Sequence, residues 1–288
     1  MKINIPAIIA TFLLATFNFQ FSTSFAQGGL TPPGPPGATM LTLSQVEPRT
    51  PVDATHTPGN STTEFLIASS GSYYLTTNII GVAGEQGIEI SANNVSLDLN
   101  GFSVTGASTS YSGISILAGV SNSVVRNGII SGWGNLYTDL FSSGYNVAFE
   151  DLIISGAHVG IQCFGNGGII RNCTVSACNQ YGIYLAGSNY LVACNCLFEN
   201  NTGNNGNGAA MNIISANNRI DDNYIVGSSP SGYGILVNSS GANTNNIVIR
   251  NSVAGGGGNN YSINLSVNDV GPIGNASTNT SPWGNLSR

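Results

Sequence analysis

The residues with the clearest chemical potential are Arg219, Asp221 and Asp222, which lie within four positions of one another. Two carboxyls beside a guanidinium could cleave a glycosidic bond: one protonates the leaving oxygen while the other attacks carbon or activates water. That chemistry needs the carboxyls about 5–5.5 Å apart for retention, or about 6.5–9.5 Å for inversion. Adjacent residues of a strand point to opposite faces, however, so Asp221 and Asp222 are poorly placed to share one site. A second set, Arg126, Glu150 and Arg171, alternates in charge and suits an acidic sugar. A third combines acid, amide and aromatics: Asp139, Gln162, Tyr184 and Trp133. Sugar rings stack on aromatic faces, while amides and carboxylates bond hydroxyls.

Each set also has a plainer reading. Opposite charges on adjacent strands stabilise by roughly 0.2–1 kcal/mol per pair, so the Arg/Glu set can be a charge-compensated solvent face. The insert Trp133-Gly134-Asn135-Leu136-Tyr137, with Phe141 and Tyr145, can simply cover the edge of a core. His158 reads as a turn residue. Metal ligation is not expected. The two histidines, His56 and His158, are far apart, and the five cysteines (163, 173, 178, 194 and 196) lack the loop-separated pairs of a zinc site. No cofactor is implied. An odd number of cysteines leaves at least one unable to pair within the chain. Small apolar filler accounts for them, with one bridge between Cys173 or Cys178 and Cys194 or Cys196 geometrically open.

The elements that must position these residues announce themselves by repetition. Gly-apolar-x-apolar tetrads occur at Gly87-Ile88-Glu89-Ile90, Gly113-Ile114-Ser115-Ile116, Gly160-Ile161-Gln162-Cys163, Gly182-Ile183-Tyr184-Leu185 and Gly234-Ile235-Leu236-Val237. Looser copies fall at Tyr137-Thr138-Asp139-Leu140, Gly208-Ala209-Ala210-Met211 and Asn260-Tyr261-Ser262-Ile263. A period in the twenties is the signature of a repeat architecture. A second element alternates apolar and polar, as in Val95-Ser96-Leu97-Asp98-Leu99, and a third short apolar element follows it, as in Ile129-Ile130. Three short strands per repeat, with no helical pattern, predict an all-β fold: a right-handed parallel β-helix of about eight coils. Each coil alone cannot bury its apolar side, but a stack buries one continuous column. In this alignment the tetrads present Glu89, Ser115, Asp139, Gln162, Tyr184, Ala210, Leu236 and Ser262 outward. The second strands align Asn100, Arg126, Glu150, Arg171, Ala193, Asp221 and Arg250.

Met1-Lys2, an apolar run to Phe21 and the small exit Ser24-Phe25-Ala26 read as a signal peptide, residues 1–26, and predict export. The Pro-rich stretch 27–63 reads as a linker or strap. The β-helix is expected over 64–270 and a capping tail over 271–288. After cleavage the only lysine is gone, leaving six arginines against 13 acids, net 6 − 13 = −7. That balance disfavours nucleic acid, whose binding depends on basic side chains. No later stretch is long and apolar enough for stable membrane insertion.

The Gly-Ile-x-Ile and Ile-Arg-Asn-x-x-Val repeats resemble right-handed parallel β-helix proteins of the pectate-lyase-like superfamily, over about residues 64–265. Glu47-Pro48-Arg49-Thr50-Pro51, Gly71-Ser72-Tyr73-Tyr74-Leu75, Leu97-Asp98-Leu99-Asn100-Gly101-Phe102 and the tail at 271–283 are similar to a bacterial exported subgroup with no established activity. The resemblance implies the architecture and, for relatives that are enzymes, polysaccharide cleavage. It does not extend to their catalytic motifs: Arg-x-Pro-x-x-Arg, Gly-His-Gly and Arg-Ile-Lys are all absent. The expectation is an exported β-helix that binds polysaccharide or acts at the cell surface without catalysis. A polysaccharide hydrolase or lyase with its site on the outer face is the alternative.

Overall fold

In the computed structural model, residues 48–107, 110–134, 138–193, 197–199, 208–227, 232–237, 243–255 and 259–288 are described. They belong to the unit Pro48–Arg288, and the expected signal peptide and the Pro-rich run at 32–37 lie outside them. All regular structure among the described residues is β.

The strands form a β-solenoid. One sheet contains ten strands. Nine are parallel: Thr63–Ile67, Gln86–Ile90, Ile114–Ile116, Thr138–Ser142, Val159–Cys163, Tyr181–Leu185, Ala209–Ile213, Tyr233–Val237 and Asn259–Ile263. The tenth, Pro58–Asn60, pairs antiparallel with the first of these and covers one end of the sheet. The second and third strands of each coil join into one larger sheet of 18 strands. Coils three and four carry both strands in one continuous run, Val124–Ser131 and Val147–Ser155.

Inward residues stack in columns, which is why one apolar residue recurs at each period. The first sheet contributes Ile88, Ile114, Leu140, Ile161, Ile183, Met211 and Ile235. The second strands contribute Leu97, Val125, Phe149, Ile170, Val192, Ile220 and Val248, and the third Val104, Ile130, Ile154 and Val175. All are buried in one cluster.

The corners explain the asparagine content. Asn94, Asn122, Asn146, Asn189, Asn217 and Asn245 all have positive φ, a left-handed conformation that asparagine tolerates better than most residues. Their carboxamides also bond along the stack: Asn122 Nδ2 donates to Asn94 Oδ1 at 2.9 Å, and Asn146 Nδ2 to Asn122 Oδ1 at 2.7 Å.

Three expectations are corrected by the register. Two of the three looser tetrads slip by two residues, so Leu140 and Met211, not Thr138 and Ala209, occupy the inward column, while Tyr261 keeps its expected place. In the second-strand column Asp98 replaces Asn100, and Ile249 replaces Arg250. Packed structure also begins before residue 64: Thr50–Pro51 pairs with Tyr73 and Tyr74, and Val52 is buried. At the other end, Asn285–Ser287 pairs with Ser252–Ala254. Its side chain and backbone close the stack there, while Ile273 and Trp283 remain exposed.

Candidate functional site

The second-strand column places Asp98, Arg126, Glu150 and Arg171 on successive coils. Arg126 Nε lies 3.6 Å from Asp98, and Arg171 Nη2 lies 2.9 Å from Glu150. Asp98 also takes Arg49 at 3.5 Å and the Asn127 carboxamide at 3.0 Å. The arrangement is a ladder of compensated charges on a partly exposed face.

Further along this sheet, Arg219, Asp221 and Arg250 form a triad. Arg219 Nε donates to Asp221 at 2.9 Å, and Arg250 donates through Nε at 2.7 Å and Nη2 at 2.5 Å. Burial works to raise the Asp221 carboxyl, but hydrogen bonds and charge from the two arginines outweigh it and hold it below its ordinary value. Such a carboxylate is a weak base and is hard to protonate. Asp222 sits at positive φ on the corner and is exposed, whereas Asp221 is buried. The two carboxyls face different surroundings.

Asp139 and Trp133 are not surface ligand contacts. Both are fully buried. The register aligns Asp139 with Gly160, at the corner where the five strict tetrads carry glycine. A Cβ added to Gly113 would come within 2.8 Å of both the Ile130 and Trp133 side chains, so this corner faces inward. Trp133 fills the space that glycines leave: its indole N–H donates to the Val104 carbonyl at 3.0 Å, and its backbone N–H to Asp139 Oδ1 at 3.2 Å. Burial pushes the Asp139 carboxyl well above its ordinary value.

With the register corrected, the outward column of the first sheet reads Phe141, Gln162, Tyr184 and Asn212 across coils four to seven. Aromatic rings run beside it: Phe141 and Phe164 have centroids 5.8 Å apart, Phe164 and Tyr184 6.1 Å, and Tyr184 and Tyr181 5.5 Å. Next to these rings lies an open depression of about 400 Å³, lined by Thr138, His158, Val159, Gln162, Gln180, Tyr181 and Tyr184. The Thr138 hydroxyl donates to Gln162 Oε1 at 2.9 Å and fixes the carboxamide at its floor. Burial, and then the neighbouring Tyr181, raise the Tyr184 hydroxyl above its ordinary value, so it stays a neutral donor. The arrangement offers ring faces, amides and hydroxyls, which is the chemistry that holds a sugar.

The structure thus brings Gln162 and Tyr184 together, pairs Arg126, Glu150 and Arg171 into a separate ladder, and buries Asp139 and Trp133. Phe164, Tyr181, Thr138 and Gln180 carry no repeat signal that marks them as site residues, and His158, expected at a turn, lines the depression. Phe164 was the most accessible of these, since it lies two residues beyond Gln162 and so projects to the same side of an extended chain. Among the described residues, no group of three His, Cys, Asp or Glu is placed to hold a metal ion.

These features define a parallel β-solenoid with aromatic rings and amides on its outer surface. Residues 112–270, more than half of the chain, match the family described as right handed beta helix region. The chain belongs to that family, and its fold is consistent with the pectate-lyase-like superfamily. The crystal structure of the Dettilon tailspike protein (gp208) is similar, with 15% identity and a TM-score of 0.43 over 69% of this chain and 41% of that one. The chain therefore spans about two fifths of the tailspike's length. No curated protein matches the sequence.

Proposed function

We propose that this is an exported β-helix protein that binds polysaccharide on the outer side of its first sheet, without cleaving it. The observation that carries this reading is the run of rings Phe141, Phe164, Tyr184 and Tyr181 beside an amide-lined depression. Aromatic faces supply apolar contact for sugar rings, and Gln162, Gln180 and Thr138 supply directional bonds. The charged start, apolar run and small-residue exit at residues 1–26 support export.

Binding without cleavage is the favoured form because, among the described residues, the depression's lining offers no carboxyl to act as acid, base or nucleophile. Asp221, the strongest catalytic candidate in the sequence, is committed to two arginines.

The test is affinity electrophoresis through gels containing individual polysaccharides, with product chain length followed in parallel. A polysaccharide should retard the wild type and remain intact, and Tyr184→Ala should weaken retardation about tenfold, equivalent to about 1.4 kcal/mol. Unchanged retardation of Tyr184→Ala would remove the site. Depolymerisation abolished by Asp221→Asn would replace the reading with an enzymatic one.

A further inference from the structure

We infer that the depression on the first sheet selects a neutral glycan laid along the solenoid axis, across the strands, and rejects polyanionic ones. This rests on the polysaccharide-binding reading and narrows it to a substrate class.

The repeat arginines lie away from the first sheet. Arg126, Arg171, Arg219 and Arg250 all come from the larger sheet or its corners, and each is within ion-pair distance of a carboxylate there. The outward column of the first sheet is uncharged from Ser115 through Phe141, Gln162, Tyr184, Asn212 and Leu236 to Ser262. Among the described residues, the depression's lining contains no arginine, lysine or carboxylate. The sequence pattern put two acids on this surface, Glu89 and Asp139. Glu89 keeps its outward place beside Ser115, two coils before Phe141 and outside the depression's described lining. Asp139 faces the interior, and burial favours its neutral form.

A polyanion brought here would find no counter-charge and would approach a mature chain of net charge 6 − 13 = −7, which repels it at long range. A neutral glycan has no such penalty. Hydroxyls can use Gln162, Gln180 and Thr138, and the less polar faces of the sugar rings can use the aromatics.

The direction follows from the register. Phe141, Gln162 and Tyr184 occupy three successive coils, so the outer two are about 10 Å apart at the usual strand spacing of about 4.8 Å. The aromatic contacts link Phe141 to Tyr184 through Phe164, across strands. A linear glycan parallel to the axis meets a ring or an amide at each coil. One lying along a single strand meets fewer of them.

The experiment is calorimetric titration of the full mature chain with cellohexaose, mannohexaose and xylohexaose, and with hexagalacturonate as the anionic probe. Wild type and the variants Tyr184→Ala, Phe141→Ala and Arg171→Ala are compared. The expected result is binding to at least one neutral hexamer, little changed between 50 and 500 mM salt, with roughly tenfold loss in Tyr184→Ala and in Phe141→Ala. The corresponding trimer should bind more weakly than the hexamer, and Arg171→Ala should bind as wild type. Salt-sensitive binding of hexagalacturonate, lost in Arg171→Ala, would overturn the neutral class while leaving polysaccharide binding in place. Binding that Tyr184→Ala weakens and Phe141→Ala does not would overturn the axial direction. Binding of none of the four probes would overturn both this inference and the reading beneath it.

Discussion

Replacing Asp139 with asparagine should change how stability depends on pH. Asp139 is fully buried, its Oδ1 accepts the Trp133 N–H at 3.2 Å, and its Oδ2 has no hydrogen-bond partner. Burial raises its proton affinity, and the backbone of Trp133 and Ser155 offsets this only in part. In the unfolded chain the same carboxyl releases its proton near the ordinary value of 3.8. Between that value and the higher folded one, the native state holds one more proton than the unfolded state. Raising pH through this window therefore destabilises the fold, by about 1.4 kcal/mol per pH unit for one group. Above the folded value the loss levels off, and below 3.8 it vanishes. Asparagine keeps the acceptor and cannot ionise. Urea denaturation of both proteins at successive pH values from 4 upward gives the difference directly. Groups common to both cancel, including Asp221, whose lowered pKa makes its contribution disappear as pH falls. Wild type should lose ground to Asp139→Asn by about 1 kcal/mol between pH 4 and 5. A pH-independent difference would show that Asp139 does not bury its carboxyl.

Two further perturbations probe how the stack is filled and closed. A Cβ at Gly87 would stand 2.5 Å from the Gly113 carbonyl oxygen and 2.7 Å from the Trp133 ring, so Gly87→Ala should cost about 1–3 kcal/mol by overpacking. This would appear as a lower urea midpoint at unchanged slope, and an unshifted midpoint would place the indole elsewhere. Deleting 271–288 removes Asn285, whose side chain accepts the Asn251 N–H at 3.0 Å and donates to the Val248 carbonyl at 2.9 Å. Size-exclusion chromatography should show aggregation of the truncated chain through its uncovered end, and a monodisperse, equally stable product would count against closure by the tail.

The fold was legible because burial in a solenoid repeats in sequence: Ile88, Ile114, Ile161, Ile183 and Ile235 each fill the same column one coil apart. The candidate site was only half legible, for a reason of parity. Sliding a strand by two residues preserves its alternation, so Thr138 and Leu140 fit the inward pattern equally well, as do Asp139 and Phe141 the other set. What separates the frames is the corner, where the chain turns and the position before the strand centre faces the interior. Glycine normally occupies that position, as at Gly87, Gly113 and Gly160, and Asp139 replaces it where Trp133 is inserted into the core. The insertion and the buried acid are thus one structural event. Its consequence for function is the exchange of an acid for Phe141 on the outer column, which turns an apparent acid-and-aromatic cluster into a neutral one. With the acid turned inward by that two-residue slip, the described residues of this surface offer ring contact and amide bonding, and Asp139 is removed from it as an acid or base.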